Sequence, residues 1–187
     1  MKKIKFLRDY ISEFKFLLES CDLKNFDIFS EMILETKKKN KKIIIIGNGG
    51  SASICSHFSV DLTKNAKVRC INFNEANLIT CFSNDYGFEN WLKKSIEYYA
   101  EPGDMLISIS SSGKSINILN ASKYFKSNLG QVVTFTGNKK NNNLKKIGNL
   151  NFWVDSKSYN IIENIHQFWL LMCIDLIIGK KNYKSNL

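Results

Sequence analysis

Apolar residues follow two different rhythms along the chain, and the change from one to the other divides it. Over residues 4–20, Ile4, Phe6, Leu7, Ile11, Phe14, Leu17 and Leu18 recur at intervals that return to one helical face, and over 23–38 Phe26, Phe29, Met32 and Ile33 repeat the signal. This spacing predicts two N-terminal helices. Their apolar faces are broad and precede any strand, which suits packing against a second subunit. From Lys41 onward the pattern becomes short β-branched runs separated by helical segments. Ile43–Ile46 is apolar at every position, as a strand covered on both faces requires. Val68 to Phe73, Met105 to Ile109, Gln131 to Phe135 and Leu150 to Val154 supply four further strands. Helices are expected over about 51–64, 76–82, 88–100, 115–127 and 160–178, with a short turn near 143–147. Strand alternating with helix predicts an α/β fold: a doubly wound, five-stranded parallel sheet with helices on both faces. Ligands of such sheets sit beyond the carboxyl ends of the strands. The expected organisation is one domain, with a helical pair over 1–40, an α/β core over 41–180 and a tail over 181–187.

Composition narrows the function. A chain of 187 residues buries a core without staples. The formal charge of +10 raises the question of nucleic acid, but the excess is lysine scattered among asparagines, and Arg8 and Arg69 are the only arginines. Arginine is the favoured bidentate reader of base edges, so nucleic acid is not the expected partner, while phosphorylated small molecules suit the charge. Cys21, Cys55, Cys70, Cys81 and Cys173 contain no CxxC pair, and the start MKKIKFLRDY leads into an amphipathic pattern, not an apolar signal core. The longest apolar stretches, Ile43 to Ile46 and Phe168 to Ile178, are short for a bilayer. The expectation is a cytoplasmic protein without membrane contact.

Two strand-to-helix turns carry the candidate chemistry. After the first strand comes Gly47-Asn48-Gly49-Gly50-Ser51-Ala52-Ser53. Glycines let a backbone turn sharply and approach a ligand, and the helix that follows aims free N–H groups and a positive dipole end at an anion. The spacing is neither GxGxxG nor GxxxxGK[ST], so no nucleotide cofactor is expected. After the third strand comes Ser110-Ser111-Ser112-Gly113-Lys114-Ser115. One serine at a helix start is commonly an N-cap, but three in a row plus Ser115 exceed what capping needs. Their hydroxyls and the helix-end amides form a nest able to saturate one phosphate.

GNGGSAS with His57-Phe58 behind it, NDYG at Asn84 to Gly87 and ISSSGKS together resemble the sugar isomerase (SIS) domain, and within it the phosphoheptose isomerase family. The resemblance covers about residues 41–178 plus the helical pair. It implies a homotetramer with sites between subunits, a phosphorylated sugar as substrate, and an aldose–ketose conversion of sedoheptulose 7-phosphate. It also implies that Ser51, Ser110, Ser111, Ser112 and Ser115 hold phosphate beside Gly49 and Gly50. Asn48, Asn84 and Asp85 would line the sugar pocket, and Glu75 stands where the family has an aspartate near substrate.

Such a reaction moves a proton between adjacent carbons through an enediol, and needs a base, an acid and a group that polarises the carbonyl. His57 and Asp61, four residues apart, share one helical face. His57 matches the family's histidine, whereas Asp61 replaces its glutamate. One methylene fewer shortens the reach by roughly 1.5 Å, a displacement on the order of 10²-fold in rate unless the backbone compensates. On the last helix Glu163 stands in place of a glutamine, Asn160 in place of a frequent aspartate, and Leu171 in place of the usual histidine acid. Glu163 and His166 are the remaining acid and base candidates on that helix. A shorter segment over 62–67 lacks the family's arginine and offers Lys64 instead. Two readings of the set follow. In one, His57, Asp61 and Glu163 bind a divalent metal such as Zn²⁺, with His166 as alternative acid or outer partner. In the other they are relics in a pocket that binds sugar phosphate without turning it over, as in the DnaA initiator-associating protein.

Overall fold

A computed structural model of the chain describes residues 2–181. The tail expected over 181–187 lies, beyond residue 181, outside the described residues. Five strands, β1 (Ile43–Ile46), β2 (Cys70–Ile71), β3 (Met105–Ser110), β4 (Gln131–Thr136) and β5 (Leu150–Trp153), form one parallel sheet in the order β2-β1-β3-β4-β5. The helices are α1 (Lys2–Glu19), α2 (Lys24–Lys38), α3 (Gly50–Ala66), α4 (Ala76–Tyr86), α5 (Trp91–Tyr99), α6 (Ile116–Asn128) and α7 (Tyr159–Ile178).

The all-apolar first strand explains the layering. Successive side chains of a strand point to opposite faces. Ile43 and Ile45 enter one core with α2, α3 and α7, while Ile44 and Ile46 enter the other with α5 and α6. Each face thereby acquires its own hydrophobic layer, and the sheet is buried on both sides. α7 has the length and composition of a membrane span, but Ile161, Ile162, Ile165, Trp169, Leu170, Cys173 and Ile174 are packed inside the protein. It packs as a core helix of the fold.

Two elements depart from expectation. The second strand, expected over Val68 to Phe73, is laddered only at Cys70 and Ile71, opposite Ile43 and Ile44. It is the sheet edge, and beyond it the chain turns to clamp α3. Asn72 donates to the Ser59 hydroxyl (2.8 Å), and Asn74 donates to the Ala52 carbonyl (2.7 Å) and the Ser56 hydroxyl (2.8 Å). Local side-chain bonds there replace ladder bonds. The helix expected to end near residue 82 runs on to Tyr86, where Gly87 adopts φ +80° and stops it.

The strand order sets the place of the site. β1 and β3 are neighbours, yet α3 follows β1 onto one face and α6 follows β3 onto the other. Their connecting turns diverge at the sheet's carboxyl edge and leave a crevice between them.

Candidate functional site

Both serine- and glycine-rich turns open into that crevice. A cavity of about 150 Å³ is lined by Asn48, Ser51, Ile109, Ser110, Ser111, Ser112, Ser115, Tyr159 and Glu163. Residues from the first turn, the second turn and the start of α7 thus meet in one place.

The first turn depends on its glycines. Gly49 sits at φ +55°, ψ −124°, a conformation that side chains resist, and Gly50 lies so close beneath the Glu163 carboxylate that an added Cβ would overlap it. No side chain caps α3, and none caps α6 where Ser115 holds the N-cap position. Two uncapped helix starts therefore present donors and positive dipole ends to one small cavity. The serines are not spent on capping. Ser110 and Ser115 hydroxyls share a hydrogen bond at 3.2 Å, and the Ser112 hydroxyl accepts from the Lys114 amide at 3.3 Å. Ser111, buried at 6% exposure, has a hydroxyl without a hydrogen-bond partner. A buried polar atom without a partner costs about 1–3 kcal/mol, which an incoming oxyanion would relieve.

Asn48 and Asn117 lock the two turns together. Each amide donates to the other's carbonyl oxygen at 2.9 Å, so Asn48 is a strut as much as a wall. Asn117 and Tyr159 carry no motif that would have singled them out. Their roles arise from the crossing of α6 and α7 with the first turn. Glu163 borders the cavity with its carboxyl pushed above the usual carboxylate range by desolvation.

The other sequence candidates occupy different places. His57 and Asp61 lie further along α3, where His57 Nε2 is 3.3 Å from Asp61 Oδ2 and the Gln167 amide nitrogen is 3.3 Å from His57 Nδ1. Gln167, on α7, was not among the candidates, because no local pattern announces a contact spanning 110 residues. His166 does not face the site. It is fully buried among Phe135 and Trp169, donates from Nε2 to the Thr136 carbonyl (3.2 Å), and burial pushes its pKa down to about 4. A neutral imidazole sealed in the core cannot serve as the acid or a metal's outer partner, so that expectation is corrected. Leu171 packs against the same core and borders an apolar groove of about 680 Å³ with Phe168, Met172 and Leu176.

Asn84 and Asp85 pair with each other at 2.9 Å on exposed α4, and Glu75 stands exposed at that helix's N-cap position; none of the three lines the cavity. Lys64 is exposed near the end of α3. The metal set is not assembled either. Among the described residues no group of three or more His, Cys, Asp or Glu side chains is placed to hold an ion. Glu163 sits over Gly50, while Asp61 lies eleven residues along α3, about 16 Å at the helical rise. The donors of one chain do not fit Zn²⁺.

The SIS-domain profile matches residues 9–137. Phosphoheptose isomerase of Fusobacterium nucleatum is 31% identical over 178 residues, covering 90% of this chain and 91% of the relative. That decides the family. The chain belongs to the phosphoheptose isomerases of the SIS-domain family. A second phosphoheptose isomerase, from Campylobacter concisus, is 32% identical over 154 residues, 79% of this chain and 81% of its own. Among solved structures, phosphoheptose isomerase GmhA from Neisseria gonorrhoeae superposes with a TM-score of 0.87 at 22% identity, covering 96% of this chain and all of that one. The five-stranded parallel sheet and its flanking helices are thus the SIS fold.

Proposed function

We propose that this chain is a soluble, cytoplasmic sugar-phosphate isomerase that interconverts a ketose phosphate of the sedoheptulose 7-phosphate class with its aldose partner. One observation carries the reading. Two uncapped helix starts and a buried, unpartnered serine hydroxyl converge on a single cavity of phosphate size.

The distances suit a long sugar. His57 follows Ser51 by six residues, about 9 Å along α3. An extended chain of single bonds advances roughly 1.2 Å per bond, so seven carbons and the ester oxygen reach about 8 Å. With phosphate on the serines, the carbonyl end of a heptose arrives beside His57 and Asp61. Asp61 takes the proton from the carbon next to the carbonyl, an enediol forms, and the proton returns to the neighbouring carbon. His57 steadies Asp61, and Glu163, whose pKa desolvation raises, is the acid candidate that gives a proton to a sugar oxygen. No step is routed through a metal, because the donor set does not close around one. A homotetramer, with a neighbouring subunit bringing Asn84, Asp85 and Glu75 to the open side, completes the proposed site.

The test follows carbon-bound hydrogen. Purified protein with sedoheptulose 7-phosphate in D₂O should incorporate deuterium at the carbon next to the carbonyl, and Asp61→Asn should lower the rate on the order of 10³-fold. A second reading is favoured by Leu171, which has no proton to give: a protein that binds sugar phosphate without turnover. Sugar-phosphate binding without any deuterium incorporation would sink the isomerase in favour of that reading.

A further inference from the structure

Three polar side chains form a line across the seam between α3 and α7. The Gln167 amide nitrogen lies 3.3 Å from His57 Nδ1, and His57 Nε2 lies 3.3 Å from Asp61 Oδ2. An amide nitrogen only donates, so in this arrangement Nδ1 accepts. A neutral imidazole then carries its single proton on Nε2, facing a carboxylate that only accepts. Turning the amide over would demand a proton on Nδ1 and leave the Nε2 lone pair against the Asp61 oxygen. Both contacts are therefore satisfied by a neutral ring in one tautomer alone. The imidazole is half exposed, so water would otherwise let both tautomers exchange.

We propose that Gln167 is a positioning residue: it fixes His57 in the Nε2–H tautomer, making His57 a donor to Asp61 Oδ2 and leaving the other Asp61 oxygen to meet substrate. The kinetic consequence rests on the isomerase reading, whereas the tautomer itself does not. Gln167 presents no family motif and carries no charge. Its importance lies in being the only amide that reaches His57 among the hydrogen bonds of the described residues.

The chain has two histidines, so ¹⁵N labelling of histidine gives a spectrum with two rings. At alkaline pH, where imidazoles are neutral, the His57 ring should show a protonated Nε2 and an unprotonated Nδ1. In Gln167→Leu the two nitrogens should move toward averaged shifts, and Gln167→Glu, which accepts instead of donating, should place a proton on Nδ1. A wild-type His57 ring that already averages or carries its proton on Nδ1 overturns the proposal, as does a Gln167→Leu spectrum identical to wild type. In turnover, Gln167→Leu should lose about tenfold in kcat with KM within roughly twofold. An unchanged kcat alongside a shifted tautomer also overturns it. If no variant or wild type turns over, the isomerase reading falls, and the spectra still decide the tautomer.

Discussion

At the scale of single residues, the site is a contest between an anion nest and one carboxylate inside it. Ser111 holds a buried hydroxyl without a partner. Ser111→Ala should weaken sulfate binding at least about tenfold, since hydrogen bonds to a charged group contribute about 1.5–3 kcal/mol. The same change removes an unsatisfied buried atom, so the melting temperature of the ligand-free protein should not fall. Calorimetric titration and thermal melts check the two halves, and a loss of stability with unchanged affinity would contradict the assignment. Glu163 works in the opposite direction. As a carboxylate on the cavity wall it repels a dianion, and even at the dielectric of water a charge pair of this kind at roughly 6 Å costs about 1.4 kcal/mol, a factor of ten. Its pKa is raised, so on acidification it takes up a proton before an ordinary glutamate does, and the repulsion disappears. Sulfate stays a dianion over this range. Its affinity should therefore rise as pH falls through the Glu163 titration, and Glu163→Gln should bind about tenfold tighter at pH 8 with that dependence abolished. The glycine and serine positions were legible in the sequence because a backbone that must approach an anion leaves few residue choices. Asn117 and Gln167 were not, because their partners stand 69 and 110 residues away, and Tyr159 was not, because it meets the two turns only across a cavity that the assembled sheet creates.

At the scale of elements, α7 determines which groups reach the site. Glu163 and Gln167 face outward, while Ile162, Ile165, His166 and Trp169 face the core. Sequence placed Glu163 and His166 on one turn, which is correct, but adjacency on a turn does not put two residues on one face of the protein. The sheet decides that, and His166 is tied to the end of β4 through the Thr136 carbonyl. The next amide, Gly137, donates to the Ser111 carbonyl at 3.0 Å, so this tether fixes the height of α7 against the second serine turn. The buried ring also makes stability depend on pH. Its pKa drops from 6.5 to about 4 on folding. Between those values the unfolded chain binds a proton that the native ring refuses, so stability rises with pH there. The contribution is complete above pH 6.5 and is lost as pH falls toward 4, by about 3 kcal/mol. Urea titrations at pH 6.5 and 4.5 should show about 2 kcal/mol of that loss in wild type, and His166→Gln should flatten it while lowering stability at neutral pH. An equal pH slope in both proteins would refute the buried neutral imidazole. β2 teaches the complementary lesson. Its β-branched and apolar pattern predicted six strand residues, but an edge strand has one partner, and Asn72 and Asn74 found better bonds on α3.

At the scale of the whole molecule, the chain leaves several apolar helix faces open. α1 buries Leu17 alone, and Ile4, Phe6, Leu7, Ile11 and Phe16 are each more than half exposed. On α7, Phe168 and Leu176 are exposed beside the groove that Leu171 borders. α4 buries nothing. Apolar surface contributes about 25 cal/mol per Å² when covered, so these faces together favour association strongly. The helical rhythm of the N-terminal pair suits a partner subunit; what it did not show is that Asn84, Asp85 and Glu75 stay away from the cavity in a single chain. Two separable consequences follow if neighbouring subunits bring them in. Wild type should sediment well above the 21.5 kDa of one chain, and Phe168→Asp, which places a charge in the groove without touching the core, should sediment as a smaller species. The cavity is built from one chain, so that variant should still bind sulfate with an affinity within about threefold of wild type, while isomerase turnover drops with the loss of the neighbour's side chains. A smaller species that retains full turnover would mean that each chain carries a complete site, and that α4 has no part in it.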